Sequence, residues 1–330
     1  MNKRTLWRIV GFIALILLIM GVFIWLVDLP EVGRVLQTAD LTLLLFASLA
    51  LITGLIIHAT RWWILLANQT GLLPTFHASN LGHAGNVLIP AQAGEAVRIV
   101  AIAQAESVSL TVAASSFVVE RLFEQIMRLT ALAGAVVYGV GLPVTAGTIM
   151  GGLILLAAAF GGIAWLVRHQ ETVLRRGPKL LAKIPRLTEQ RAHQSLADLL
   201  ANLAAVSAWR RLTAVTLTSL LAWSCFWGFF YLTLLALGES FPPEQRLAVS
   251  LGALALSPPS AMTLPGIFHA SVVGPLTAVG FPPETLTAYA ILLHILEMFW
   301  VIGLGLWGFW QTGLSFGDFF RREEKLKASD

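Results

Sequence analysis

Residues 41–60 read LTLLLFASLALITGLIIHAT, twenty residues without a single Asp, Glu, Lys or Arg. A helix needs about 20 apolar residues to cross the hydrocarbon core of a bilayer. Four more stretches are also uncharged, and two are nearly twice that length: 9–27, 129–167, 212–238 and 247–283. Only 12% of the 330 residues are charged, whereas an ordinary soluble domain has about 25%. The sequence therefore predicts an all-α polytopic integral membrane protein.

Six full spans are predicted, near residues 7–27, 41–66, 109–141, 146–167, 212–237 and 285–312. Two other apolar regions, 77–105 and 246–280, are interrupted by proline and glycine. Proline removes a backbone donor and clashes with the preceding turn. Unpaired backbone at membrane depth is tolerated only inside protein or beside a water-filled cavity. Both regions are therefore predicted to be re-entrant or broken-helix hairpins.

The chain is predicted to be one transmembrane domain, 1–330, built around an inverted repeat. Arg121-Leu122-Phe123-Glu124 in one half is echoed by His294-Ile295-Leu296-Glu297 in the other. Inverted repeats whose broken helices meet at the midplane recur in transporters. The predicted parts are the first span with an external loop, the first repeat, a basic cytoplasmic linker with an amphipathic helix, the second repeat and a cytoplasmic tail: 1–40, 41–167, 168–211, 212–312 and 313–330.

The basic residues predict the orientation. Of the 22 Lys and Arg residues, three lie in 1–8, nine in 168–211 and four in 321–327, segments that six spans place on one side. Basic loops stay cytoplasmic, so both termini are expected in the cytoplasm, with the protein in the bacterial inner membrane. The linker has an amphipathic helix face at Leu196, Leu199, Leu200 and Leu203. This face either rests on the anionic inner leaflet or packs on the cytoplasmic end of the bundle.

Charged residues inside spans are costly and suggest function. Four of them fall on about a quarter of one helix circumference in the third span: Glu120, Arg121, Glu124 and Arg128. Glu124 and Arg128 also have the i,i+4 spacing of a favourable helical pair. Further ionisable pairs are Glu95 with Arg98 and His294 with Glu297.

Two interpretations of these charges stay open. In the first, the ions pair with one another and hold the bundle together. In the second, Arg98, Arg121 and Arg128 face a polar cavity and hold a lipid phosphate through forked hydrogen bonds. Glu95, Glu120 and Glu124 would then balance the charge, accept a cationic headgroup or carry protons. Arg61-Trp62-Trp63 is predicted to mark the membrane interface as a basic and aromatic anchor.

Several functional classes lack their motifs. There is no Gly-Lys dipeptide, and so no phosphate-binding P-loop or built-in ATPase is expected. Cys225 is the only cysteine, which excludes an intrachain disulfide and a CxxC site. Gly313-Leu314-Ser315-Phe316-Gly317 matches the nucleophile elbow but follows a membrane helix, and no histidine comes after it. We expect no enzyme activity, cofactor or metal, and we expect His77 and His83 to be structural or cavity-lining.

One motif resembles a known family. Asn86-x-x-x-Pro90-x-x-x-Gly94-Glu95-x-x-Arg98 is followed by Glu120-Arg121. This pattern resembles the transmembrane region of lysylphosphatidylglycerol synthases (the multiple peptide resistance factor group) and its stand-alone relatives. The resemblance runs from about residue 40 to the end and is strongest in 58–128.

The resemblance implies a function. In that family the region is associated with flipping aminoacylated phospholipid between leaflets, and a separate soluble domain transfers the aminoacyl group. No such domain is present in this sequence, so only the translocating part is implied. The second hairpin departs from the family's Pro-Gly-Gly-x-Gly with a following Glu. It reads Pro265-Gly266-Ile267-Phe268-His269, and the first acid after it is Glu284, which leaves His269 as the titratable substitute.

The leading hypothesis is a lipid translocase, of the flippase or scramblase type, that moves a polar-headed lipid across the bacterial inner membrane. Its partners would be that lipid and the membrane, without nucleic acid. The alternatives are a non-transporting membrane partner of a lipid or envelope-glycan synthase and, third, a membrane enzyme. The candidate lipid-binding and translocation residues are Asn86, Pro90, Gly94, Glu95, Arg98, Glu120, Arg121, Glu124, Arg128, His294 and Glu297.

Overall fold

The computed structural model describes residues 37–67, 69–88, 93–105, 108–138, 165–182, 188–206, 208–238, 241–257 and 265–312, with residue 34 and a few positions in 154–162. The regular structure of these residues is helical throughout, which confirms the all-α prediction. The helices are α1 Leu41–Leu65, α2 Leu72–Leu88, α3 Ala93–Ala105, α4 Leu110–Val137, α5 Gln170–Leu181, α6 Glu189–Val206, α7 Trp209–Ala236, α8 Pro243–Leu256, α9 Pro265–Ala278 and α10 Pro283–Thr312.

Three of these helices are long and apolar enough to cross a membrane. They are α1, α7 and α10, with mean hydropathies of 2.3, 1.5 and 1.9. At 28 residues α4 is as long as α7, but it carries four charged side chains. The four helices begin and end within four residues of the predicted spans. The span predicted at 7–27 lies outside the described residues, as does most of the one predicted at 146–167.

Local signals place the starts of the long helices. Asp40 caps α1, because its carboxylate accepts from the backbone N–H groups of Thr42 and Leu43 at 2.8 and 3.2 Å. Ser109 caps α4 by accepting from Val112 N at 3.1 Å. These side chains satisfy N–H groups that the first turn leaves without partners.

The two interrupted regions form pairs of short helices. The helices of these pairs, α2, α3, α8 and α9, have 17, 13, 14 and 14 residues, which is fewer than the roughly 20 needed for a span. The chains of α2 and α3 run antiparallel and very close, since Gly85 lies against Gly94 and Gly82 against Arg98. Pro90, predicted to break the first hairpin, lies outside the described residues, as do 258–264 in the second.

The contacts between the two halves have the pattern of an inverted repeat. The equivalent helices α1 and α7 pack against each other. They run antiparallel, because Asp40 N donates to Ala236 O at 2.8 Å at one end and Arg61 lies near Ser219 at the other. The predicted inverted-topology repeat requires such an antiparallel contact between equivalent helices, and the repeat itself stays a prediction.

In the other main contacts, a hairpin helix of one half packs on a long helix of the other half. Helix α2 of the first half packs on α10 of the second, and α8 of the second packs on α4 of the first. Small residues allow the first of these contacts, since Gly305 lies against Ala84 and Gly308 against the backbone of His77. Each hairpin is therefore completed by a long helix of the other half.

The polar linker contains two helices, α5 and α6, which pack on each other. The apolar face of α6 is turned toward protein, because Leu203 is buried in one cluster with Trp62 and Val215 and Leu199 packs against it. Of the two alternatives for this face, the structure supports packing on the bundle.

The predicted orientation is testable by labelling. In a Cys225→Ala background, Thr38→Cys and Gln245→Cys are expected to react with a membrane-impermeant thiol reagent in intact cells. Gln194→Cys, which is exposed on α6, is expected to react only after lysis. All three positions are exposed, so accessibility within the protein does not distinguish them. Labelling of Gln194→Cys in intact cells contradicts the orientation.

Candidate functional site

Glu120 of α4 is the centre of a buried ionic network. Arg61 Nη2 donates to its Oε1 at 2.9 Å, and Arg98 Nη2 donates to its Oε2. The side chains of Glu120 and Arg61 are completely buried, and that of Arg98 is 2% exposed. Both carboxylate oxygens are thus held by guanidinium groups, one from α1 and one from the first hairpin.

Glu124 lies one turn further along α4 and shares the Arg61 guanidinium. Arg61 Nη2 donates to its Oε1 at 2.8 Å, and Arg121 Nη1 donates to its Oε2 at 2.6 Å. His58 Nε2 is 3.0 Å from the same Oε1 and 3.1 Å from Glu120. Arg61 therefore bridges two carboxylates that would otherwise repel each other.

The first hairpin joins the network through Glu95 on α3. Its carboxylate pairs with Arg121 of α4 and lies 2.9 Å from Arg98 Nε, and Asn86 Nδ2 donates to it at 3.3 Å. This arrangement depends on Gly94, where a methyl group would overlap Gly82 O and the backbone N of Asn86. The close approach of α2 and α3 is what brings Asn86 to Glu95.

Aromatic rings cover the guanidinium faces. The Arg98 group lies 4.7 Å from the Trp62 ring centre and 5.1 Å from that of Phe117. Arg121 lies 4.9 Å from the same Phe117 ring. Such cation–π contacts contribute about 2 kcal/mol or more when desolvated, and they fix the planes in which the forked hydrogen bonds form.

The prediction that Arg61-Trp62-Trp63 marks the membrane interface is wrong. Arg61 and Trp62 are fully buried, and the Trp62 indole donates to Ser116 Oγ of α4 at 2.9 Å. Trp63 is partly exposed and donates to Thr70 O at 2.8 Å. Two carboxylates in the interior, those of Glu120 and Glu124, pair with this arginine, so it faces the bundle.

The predicted pairing of Glu124 with Arg128 is also wrong. Arg128 Nη1 donates to the backbone carbonyls of Ala255, at 2.9 Å, and Ser257, at 2.5 Å, at the end of α8. A cation is stabilised there because the last carbonyls of a helix lack N–H partners and carry its negative dipole end. Arg128 thus joins the first half to the break of the second hairpin.

A cavity of about 110 Å³ lies between the two halves. Its ionisable lining residues are His58, His83, Glu95, Arg121, Glu124, Arg128 and Glu297. The rest of its lining is mainly apolar and comes from both halves, including Leu51, Leu55, Trp223, Phe226, Leu254 and Phe268.

Some of the candidate residues line this cavity, and others hold the lining residues in position. Glu95, Arg121, Glu124, Arg128 and Glu297 line it. Asn86, Gly94, Arg98, Glu120 and His294 do not, and the first four of these position the lining groups. The expectation that Arg98 faces the cavity is therefore wrong, since its guanidinium is enclosed by Trp62, Phe117 and two glutamates.

Charge balance distinguishes one arginine. Arg61, Arg98 and Arg121 pair with Glu95, Glu120 and Glu124, so three positive groups balance three negative ones. Arg128 has only carbonyl oxygens as partners among the described residues. The cavity thus has one guanidinium whose charge no carboxylate pairs with.

The second half contributes different chemistry. His294 of α10 stacks on His269 of α9, with ring centres 5.3 Å apart, and meets the edge of Phe268 at 5.2 Å. Glu297, one turn along, is 7% exposed and lines the cavity. His269, suggested by the sequence as the substitute for the missing acid, is thus packed on the turn before Glu297.

His58, Glu120 and Glu124 place three possible metal-ligand atoms within 4.8 Å of one another. The Arg61 guanidinium donates to the two carboxylate oxygens involved, at 2.9 and 2.8 Å. A metal ion would have to displace that cation, so the geometry favours the ionic network.

His58 and Arg61 were not among the sequence candidates. They are spaced i,i+3 on α1, so both face the same side of the helix. The rule that an ionisable residue within a span indicates function applies to them as it does to α4. That spacing was the signal that could have identified them.

The fold and the site together define a polytopic integral membrane protein with a buried ionic network among α1, α3 and α4. The family model described as the lysylphosphatidylglycerol synthase TM region matches residues 9–305. The chain belongs to this family, as its motif suggested. No curated protein and no solved structure matches the chain.

Proposed function

We propose that this protein is a lipid translocase that moves a polar-headed phospholipid across the bacterial inner membrane. Membership of a lipid-related membrane family supports this proposal. The observation that carries it is the cavity between the two halves, where Arg121 and Arg128 lie at the edge of a self-neutralised ionic network. We place both termini in the cytoplasm and assign the protein no catalytic step.

The barrier to lipid translocation arises mainly from moving the polar headgroup through the hydrocarbon core. Taking an unpaired charge out of water into hydrocarbon costs several kcal/mol or more. Fixed hydrogen-bond donors inside the membrane lower that barrier because they replace water. Arg128 is suited to a phosphate, because a phosphate oxygen accepts a charge-assisted hydrogen bond better than the neutral carbonyls of Ala255 and Ser257 do.

The cavity must widen to admit a headgroup. Its volume of about 110 Å³ is below the roughly 300–1,000 Å³ of ordinary ligand pockets. The walls come from both halves, so a movement of one half against the other widens it. Such rocking of repeats around a central site is the usual motion of inverted-repeat transporters.

The competing function is a non-transporting partner of a lipid or envelope-glycan synthase. It is favoured by the ion pairs of Arg61, Arg98 and Arg121, whose charges are already balanced by glutamates of the same half. Exposed Arg175, Arg176 and Lys179 on α5 would then serve as a docking surface.

Lipid equilibration in proteoliposomes tests the proposal. A trace fluorescent phospholipid is present in both leaflets, and an external reductant bleaches only the outer one. With the purified protein the whole signal is expected to become accessible. Arg128→Gln removes a charged hydrogen bond worth about 1.5–3 kcal/mol and is expected to slow equilibration by roughly 10- to 100-fold.

Arg175→Gln is the matched control, since it removes an exposed arginine that does not line the cavity, and it is expected to transport at the wild-type rate. If wild-type protein makes no more lipid accessible than empty liposomes do, across anionic and zwitterionic headgroups, the translocase function is excluded and the partner function replaces it.

A further inference from the structure

Glu297 differs from every other glutamate in the core. Glu95, Glu120 and Glu124 each contact at least two cationic side chains. Glu297 is 7% exposed and has no hydrogen-bond or ion-pair partner among the described residues. Its carboxyl group thus faces the cavity without a partner from the described residues.

The predicted inverted repeat places Glu297 opposite a residue of the first half. Glu297 follows Glu124 by 173 positions, and His294 follows Arg121 by the same number. The position that corresponds to Arg128 is then Val301. The second half therefore keeps the acid of the first half's site but replaces both neighbouring arginines of its helix with a neutral or titratable side chain.

The surroundings of Glu297 contain both ionised and titratable groups. Facing the same cavity are His58 of α1, His83 of α2, Glu95 of α3, and Arg121, Glu124 and Arg128 of α4. On the side of α9 and α10, the nearest titratable groups are His269 and His294. The lining residues of α7 and α8 are apolar apart from Ser257: Trp223, Phe226, Phe229, Phe230 and Leu254.

An ionised carboxyl group in such a place is costly unless a cation or water reaches it. The arginines of the cavity are held by other groups, so none is released to Glu297 while the cavity stays closed. The closed cavity, with its apolar walls around Glu297, therefore requires a protonated, neutral Glu297 carboxyl group. A wider cavity admits water, which stabilises the ionised carboxylate.

We propose that Glu297 is a proton-binding site that couples opening and closing of the cavity, and hence lipid passage, to the proton gradient. The carboxyl takes up a proton when the cavity closes and releases it when water enters on the other side. This inference rests on the proposed translocase function and assigns its energy source.

The test imposes a pH gradient of one unit across proteoliposomes, with the membrane potential clamped, and measures the initial rate of lipid equilibration. Reversing the gradient changes the proton activity on each side of the membrane tenfold. The wild-type rate is therefore expected to change by up to about tenfold. Glu297→Gln fixes the neutral form and is expected to remove this dependence, whereas Glu297→Asp keeps it.

Glu284→Gln is the matched control, because Glu284 is an exposed acid at the start of the same helix. It is expected to respond to the gradient as wild type does. The histidines around the cavity remain in all these variants, so a response that survives in Glu297→Gln arises from them and overturns the assignment.

Infrared difference spectra between two pH values test the proton site without transport. The C=O stretching band of a protonated carboxyl is expected in wild type and lost in Glu297→Gln. If lipid equilibrates without any gradient dependence, the coupling is wrong and the translocase function stands. If no lipid moves, the translocase function fails. A missing Glu297 band overturns the proton site in either case.

Discussion

Arg61→Met is expected to destabilise the protein by about 3–5 kcal/mol, the effect of removing one partner of a buried ion pair. The substitution leaves Oε1 of Glu120 and Oε1 of Glu124 with the His58 ring nitrogen as their remaining neighbour in the network. The two carboxylates then repel each other inside the protein, with no arginine between them. The loss should be visible as a lower melting temperature in detergent and a smaller monodisperse fraction.

Arg210→Met serves as the control, because Arg210 is an exposed arginine at the start of the membrane helix α7. An exposed charge contributes at most about 1 kcal/mol, so this variant is expected to melt near wild type. Arg61→Lys keeps the positive charge but loses the planar guanidinium group that donates to both carboxylates. Its melting temperature is expected to lie between those of wild type and Arg61→Met. Equal melting of Arg61→Met and Arg210→Met would contradict the buried position of Arg61.

Gly94→Ala is expected to lower lipid equilibration by at least about tenfold and to cost about 1–3 kcal/mol through overpacking. The added methyl meets backbone atoms of Gly82 and Asn86, which cannot rotate away as a side chain would. Helix α3 must therefore separate from α2, and Glu95 moves away from Asn86 and Arg121. Rates in proteoliposomes and melting in detergent measure the two effects.

Gly274→Ala is the matched substitution in the corresponding arm of the second hairpin. A methyl group there meets nothing within 4 Å, and alanine favours a helix over glycine by about 1 kcal/mol. This variant should be at least as stable as wild type and fully active. Should the two alanine variants behave alike, the close packing of α2 on α3 has no part in function.

Much of the fold could be predicted from local sequence. Uncharged stretches such as 41–60 are long enough to span a membrane only as helices, and proline and glycine mark the breaks in the hairpins. The charged face of α4 follows from helical periodicity, so its contribution to the site was predictable. These features depend on neighbours in the sequence.

The partners of the charged residues could not be predicted in the same way. Arg61 lies near the end of a span, where an interfacial and an interior position are both physically reasonable, and only the approach of α4 decides between them. Arg128 has Glu124 at the favourable spacing of four residues, yet it binds carbonyls more than 120 positions away, on α8. The cavity likewise exists only after both halves have assembled.

The exchanged packing of the two halves imposes an order on biogenesis. The surface of α2 that carries His77 and Ala84 is covered by Gly308 and Gly305 of α10, more than 200 residues later in the chain. At roughly 5–20 residues per second of synthesis, the first hairpin waits on the order of 10–45 s for that helix. During this interval its short helices and buried charges lack their final neighbour, and this is the period in which a membrane chaperone or a quality-control protease would encounter the nascent chain.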